Sequence, residues 1–388
     1  MSPKKIILMT AFIDVLGMSI VIPILPFYVE SFGVSAFMVT LLFSVYSLCS
    51  FLSAPYLGAL SDKIGRRPVL LVSIASTALG WLVFASAQSV WVLFVGRIID
   101  GLAAGNLPIA QSYLADLAKD EKERTANLGV IGAIFGTAFV IGPALGGWLG
   151  GISHTLPFWA VGILAGANLI LAFINLPESH IHLDTDKHVS KNPLAPILGI
   201  YREKELIANY LVWFIFGLAL ASQQAVFALY LNSVFGYGAA ASGTFMTGVG
   251  VILIINQGFL LKRFWLRYFT ERKLALSLLF IFGLGYIITA IPNILLFIVG
   301  LLFMTMGQSV LRVILTSLTI GKNIKKRGEI LGVLASIMSL SLVFGPLLAG
   351  VLFEIKPFYP FIGAGLFSFA GFLVFYYSTR GTTSETPV

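Results

Sequence analysis

The sequence predicts an all-helical membrane protein, with twelve transmembrane helices in two pseudo-symmetric six-helix bundles. Three observations lead there. Of 388 residues, 58% are hydrophobic and only 11% charged, against about 25% charged in a soluble domain; the polar surface left cannot cover a water-soluble globule. Apolar runs of about 20 residues, the length that crosses a hydrocarbon core, recur in two sets of six. The basic residues crowd into alternate connections between those runs.

The first six spans fall at roughly 6–29, 36–60, 68–87, 89–114, 125–150 and 155–176, and the second six at roughly 207–232, 239–261, 273–290, 294–318, 329–353 and 357–378. The expected organisation is therefore a bundle over 1–176, a cytoplasmic linker over 177–206 and a second bundle over 207–388. The linker holds His180, His182 and His188, read as solvated side chains rather than a metal site; no metal and no cofactor are expected. Leu194, Ile197, Leu198 and Tyr201 share a helical face suited to the membrane surface.

With the N-terminus inside, every Lys and Arg except Arg97, Arg312 and Lys356 lies on the inner side or in the linker, as the positive-inside rule requires. The net charge of +8 is thus topological and not a nucleic-acid footprint. Both termini are expected in the cytoplasm, the chain lying in a cell (inner or plasma) membrane. "MSPKK" leads into an apolar run too long for a signal-peptide core, which reads as a first membrane helix. The lone Cys49 excludes an internal disulfide.

An internal repeat joins the halves. Gly129, Gly142, Pro143 and Gly147 recur as Gly332, Gly345, Pro346 and Gly350, and, more weakly, Gly58, Leu60 and Arg67 recur as Gly258, Leu260 and Arg267. Equal offsets in the fifth and eleventh spans indicate two halves of like orientation, a parallel repeat.

Four charges stand between two apolar runs in "GALSDKIGRRP", residues 58–68. Gly58 and Gly65 suit positive φ or close approach, Asp62 can accept helix N-terminal amides, and Arg66 and Arg67 can pair with carboxylates. An inner loop needs to be basic, but topology alone asks for neither the Asp nor the glycines. The stretch resembles the signature G-x-L-[SA]-D-[RK]-x-G-R-[RK] of the major facilitator superfamily. "FIDVLGMSIVIPILP" (12–26), "VGRIIDGLAAG" (95–105) and "GVIGAIFGTAFVIGPALGGWLG" (129–150) agree with it. The last is similar to the motif that marks proton-coupled antiporters there, with Ala138 where that pattern has Gly. Gly142, Pro143, Gly146 and Gly147, with Gly345 and Pro346, offer close helix packing and kinks. "LPESH", "SQQAVFALYL" and "RGEILG" (327–332) look like the twelve-helix drug:proton antiporters of the tetracycline-efflux type.

That resemblance implies alternating access around a central cavity, with an inner gate in which Asp62 meets the start of the eleventh span near Arg327. Asp116, at the inner end of the fourth span, is the expected partner of Arg66. Charges within the membrane cost about 2.5–3.5 kcal/mol and mark function; the first half holds Asp14, Arg97 and Asp100. Two carboxylates facing one guanidinium carry one net negative charge, so neutrality asks for one proton on the Asp14–Asp100 pair. The resemblance assigns Asp14 as carrier, and Asp100, a turn from Arg97, as counter-ion. A plain structural ion pair is the bland alternative. Gln223, Gln224, Asn256, Gln257, Gln308 and Ser309 are candidate substrate-binding groups, with Tyr46 and Tyr230 as stacking partners.

No G-x-x-x-x-G-K-[ST] loop occurs, which points away from ATP as the driving force. The expected activity is proton-coupled efflux of an amphipathic small molecule, by a monomer that is not an enzyme. A uniporter or symporter for a sugar or metabolite is the alternative class, and a membrane-embedded enzyme or a receptor a remoter one.

Overall fold

A computed structural model of the chain describes residues 2–179, 206–321 and 327–380, the side chains at 122, 124, 125, 128 and 327–329 excepted. Among these residues all regular structure is helical, and 12 helices are long and apolar enough to cross a membrane. They match the predicted runs in number and order. The histidine-bearing part of the linker lies outside the described residues.

The helices are α1 (Pro3–Glu30), α2 (Ala36–Ile64), α3 (Arg66–Ala85), α4 (Val90–Leu102), α5 (Asn106–Asp116), α6 (Glu121–Ile152) and α7 (Leu156–Asn175). After the linker come α8 (Ile207–Phe235), α9 (Ala239–Ile255) running on as a π-helix over Asn256–Trp265, α10 (Glu271–Thr289), α11 (Ile294–Ile320), α12 (Arg327–Ile355) and α13 (Tyr359–Thr379). Polar caps set several starts. Asp120 accepts from Glu123 N before α6, and Asn293 accepts from Leu295 N and Leu296 N before α11.

The chain divides into two compact units, Met1–Pro193 with Tyr237–Thr247, and Leu194–Gly236 with Gly248–Val388. The first turns of α9 group with the first unit, where the sequence-based division puts them in the second bundle. Small residues are the cause. A Cβ on Gly147 of α6 would lie 3.1 Å from Gly243 Cα, and Thr247 Oγ1 donates to Val140 O at 3.3 Å.

The repeat is visible in how each unit packs. In the first, α6 lies against α1 where Gly142 leaves no room for a Cβ beside Ser19 and Ile20, and Ser19 Oγ donates to Ala138 O at 2.9 Å. In the second, α12 lies against α8 where Gly345 meets Ala221 and Leu218, and Ser222 Oγ donates to Gly345 O at 3.0 Å. The aromatic anchors repeat too: Tyr28 OH donates to Phe84 O at 3.1 Å and Tyr230 OH to Thr289 O at 3.0 Å. Tyr230 is wholly buried against Phe297 and Phe361; it packs the unit and does not stand free to stack on a ligand. Large apolar side chains such as Trp91, Trp148 and Leu295 remain exposed, as befits helices solvated by lipid.

The fourth span is not the continuous helix its hydropathy predicts. It stops at Leu102 and restarts at Asn106, across Ala103–Gly105. Two glycines in five residues weaken it, and a Cβ at Gly105 would press on Ser73 Oγ at 2.8 Å. A break inside a membrane requires other partners for the freed backbone. Ser53 Oγ donates to Gly101 O at 2.8 Å, and Ser76 Oγ to Ile99 O.

Candidate functional site

The α2–α3 turn is built around a single residue, Gly65, at φ +103°. Only glycine adopts that conformation without strain, and a Cβ there would collide with the Glu178 carboxylate. On the helix side, Glu178 accepts from Arg66 N at 2.8 Å and Arg67 N at 3.0 Å, a carboxylate capping the positive end of α3. The Arg66 guanidinium pairs with Asp62, donates to Ser61 Oγ at 2.7 Å and reaches Asp116 Oδ2 at 3.2 Å, so the expected Arg66–Asp116 contact is present. Arg67 donates to Phe173 O at 2.8 Å and lies over the Phe173 ring. The turn thus ties together α2, α3, α5 and the end of α7. The side chain of Arg327, proposed above to meet Asp62, lies outside the described residues. A Cβ on Gly58 would meet no neighbouring element within 4 Å.

Glu178 was not singled out from the sequence. Its signal was an acid directly after an apolar span whose inner end adjoins a basic turn.

Deeper in the first unit, α4 places Arg97 and Asp100 on one face, both buried, with Arg97 Nη1 4.0 Å from Asp100 Oδ2. The guanidinium is walled by rings: Trp81 at 4.5 Å, Phe84 at 4.9 Å and Tyr46 at 5.6 Å from their centroids. Such faces stabilise a desolvated cation; Arg97 Nε and Nη2 have no hydrogen-bond partner among the described residues. Asp14 of α1 is placed differently from the expectation. Its hydrogen bond comes from Asn106 Nδ2, at 2.8 Å, and not from Arg97.

Asn106 exists in that position because the fourth span breaks just before it. Its Nδ2 also donates to Thr77 Oγ1 at 2.9 Å, and a turn further along α3 Gly80 lies so close to Asp100 that a Cβ there would come within 2.7 Å of the Asp100 Cβ. Asp14, Asn106 and Thr77 therefore form one polar chain from α1 through α5 to α3, and the Arg97–Asp100 pair of α4 packs against the same helix α3. Asp100, Asn106 and Thr77 are buried, while Asp14 is partly exposed. Thr77 and Asn106 escaped sequence reasoning because uncharged polar residues in spans are common and only the helix break gives Asn106 its reach.

Of the candidate substrate groups, three are already occupied, Ser309 among them, whose buried hydroxyl donates to Met306 O at 3.0 Å. Asn256, 1% exposed, donates through Nδ2 to Met306 O at 3.1 Å and to Ser309 Oγ, and accepts at Oδ1 from Trp265 Nε1 at 2.6 Å. Gln257 Nε2 donates to Ser309 O at 3.0 Å. These amides fasten the π-helical end of α9 to α11. Gln223, Gln224 and Gln308 are half-buried. Among the described residues no group of three or more His, Cys, Asp or Glu is placed to hold a metal.

Twelve helices long and apolar enough to cross a bilayer, with a buried ion pair and a second carboxylate among them, have the make-up of a polytopic membrane transporter. The comparisons name the lineage. The Major Facilitator Superfamily profile matches residues 7–322. The class G tetracycline resistance protein of Vibrio anguillarum is 33% identical over 359 residues, 89% of each chain, and the quinolone resistance protein NorA of Staphylococcus aureus is 27% identical over 92% of each. A solved bacterial homologue of the human lysosomal transporter Spinster has the same fold at TM-score 0.79, with 12% identity over 99% of this chain and 98% of that one. The chain belongs to the Major Facilitator Superfamily.

Proposed function

We propose that this protein exports amphipathic, drug-like small molecules, tetracycline-like ones among them, in exchange for protons moving inward. The observation that carries the reading is Asp14: a carboxylate within a membrane span, partly exposed and hydrogen-bonded to the buried Asn106, which also holds Thr77. Arg97 keeps its proton, so Arg97 and Asp100 cancel and one proton on Asp14 makes the group neutral. Loading from outside and release to the cytoplasm would drive the cycle, with substrate held by Gln223, Gln224 and Gln308. The relatives' resistance to tetracyclines and quinolones supports the substrate class, and the one-sided distribution of Lys and Arg supports termini in the cytoplasm.

The test is transport in proteoliposomes under an imposed pH gradient, using a tetracycline and a quinolone. The wild type should accumulate substrate against its gradient only when the proton gradient is present. Asp14→Asn should still bind substrate and should lose gradient-driven accumulation. Undiminished accumulation by that variant would overturn the assignment.

A further inference from the structure

We propose that Arg312 of α11 is a specificity-determining residue that holds an anionic group of the substrate, a carboxylate or an ionised enol on an apolar frame. The inference rests on the reading of the protein as an exporter of amphipathic molecules and narrows their chemistry.

Arg312 stands eight residues, about 12 Å, from the inner end of α11 at Ile320. Every other charged residue in the helices of the second half lies within four residues of a helix end. A guanidinium keeps its charge at any relevant pH, and an unmatched charge inside a membrane span marks function. In the first half Arg97 is matched by Asp100. Among the described residues no carboxylate pairs with Arg312 and no ring lies over it; its side chain is exposed.

The packing role that Arg97 plays is filled in the second half without a charge. Both halves contain a glycine crossing. In the first, Cβ atoms on Gly80 of α3 and Gly96 of α4 would lie 2.9 and 2.8 Å from each other's carbonyl oxygens. In the second, Gly285 of α10 and Gly300 of α11 meet in the same way, at 2.9 and 2.7 Å. Gly80 also crowds Asp100, and Gly285 crowds Met304. Met304 thus stands where the first half has Asp100, and Leu301 where it has Arg97. Both are buried and apolar. Arg312, eight residues beyond Met304, is no counterpart of Arg97.

The line of α11 that carries Arg312 is polar. Thr305, Gln308, Arg312 and Thr316 follow one another at intervals of three and four, along one side of a helix. The one large apolar side chain exposed in the inner half of α11 is Val313. It stands about 100° round the helix from Arg312 and continues the line of the exposed Leu295 and Leu302. Lipid therefore has its own side of α11, and Arg312 has another, with the half-buried Gln308 a turn away. A planar guanidinium gives two parallel hydrogen bonds to the oxygens of a carboxylate or an enolised diketone. The Gln308 amide can add a donor or an acceptor beside them.

The experiment compares a fluoroquinolone that has its free carboxylate with the methyl ester of the same compound, for binding in nanodiscs and for gradient-driven transport in proteoliposomes. The wild type should bind the acid about tenfold more tightly than the ester, the worth of one charge-assisted hydrogen bond. In Arg312→Gln the two affinities should converge. Arg312→Lys keeps the charge and loses the flat fork, so it should recover only part of the difference. A merely structural role for Arg312 would weaken both affinities together and leave their ratio as it was. Equal affinities in the wild type, or a wild-type ratio in Arg312→Gln, would overturn the proposal; if Arg312→Gln does not fold, a wild-type ratio in Arg312→Lys does so. The rival anion is a lipid phosphate. A melting temperature that phosphatidylglycerol raises in the wild type and not in Arg312→Gln, with the acid-to-ester ratio the same in both, would assign Arg312 to lipid instead. If the wild type accumulates neither quinolone form nor tetracycline under a proton gradient, the export reading has failed; if it accumulates any of them without preferring the acid, only the anion site has.

Discussion

Glu178 and Arg66 meet through the main chain: the carboxylate of one receives the N–H of the other at 2.8 Å, at the first residue of α3. The same carboxylate takes Arg67 N at 3.0 Å, so the end of the sixth span closes the turn made by the second and third. Glu178→Ala removes two charge-assisted hydrogen bonds and a helix cap, each worth on the order of 1 kcal/mol at a partly exposed site. The purified variant should melt several degrees lower than wild type in the same detergent. An unchanged melting temperature would show the cap to be energetically idle.

Gly65→Ala should be worse than the loss of Glu178. It combines strain at φ +103° with a collision between the new Cβ and the Glu178 carboxylate. Combining it with Glu178→Ala relieves the collision and leaves the φ strain, so the double variant should recover part of the folded yield but not all of it. Full recovery would locate the whole penalty in the side-chain clash. Size-exclusion profiles of the membrane extracts measure this directly.

The Asn256 latch makes a separate expectation in the second unit. Trp265→Phe deletes the 2.6 Å bond to Asn256 Oδ1 and leaves a buried acceptor dry, at about 1–3 kcal/mol. Thermal stability should drop, and Asn256→Leu should drop it further because the bonds to Met306 O and Ser309 Oγ go as well. Equal stability in all three proteins would mean that the π-helical end of α9 is held by something else.

Spans, halves and the motif turn were legible because each rests on composition or spacing. Twenty apolar residues cross a bilayer whatever their neighbours, and Gly142 and Gly345 announce close packing by their shared offset. The partner of Asp14 was not legible. The expectation set Asp14 facing Arg97 with Asp100, but the fourth span breaks at Ala103–Gly105 and delivers Asn106 to Asp14 instead. Asn256 misled for a related reason. A polar residue in a span reads as a ligand group, yet Trp265, nine positions on, is brought back to it by a helix of non-standard pitch.

Arg97 and Asp100 give the sharpest stability test. Both are buried, with rings around the guanidinium. Removing one member of a buried pair strands the other's charge, which costs about 3–5 kcal/mol, whereas replacing both is often close to neutral. Asp100→Asn should therefore lower the amount of folded protein in the membrane severalfold. Arg97→Leu/Asp100→Leu should restore most of it, though without wild-type transport, since both charges of α4 within the membrane are gone. Arg97→Lys should not substitute: an ammonium lacks the flat guanidinium face that lies 4.5 Å from Trp81 and 4.9 Å from Phe84. The measurement is fluorescence-detected gel filtration of tagged variants. A double variant less abundant than Asp100→Asn would show that the rings around Arg97, and not the pairing of opposite charges, hold this part of the bundle together.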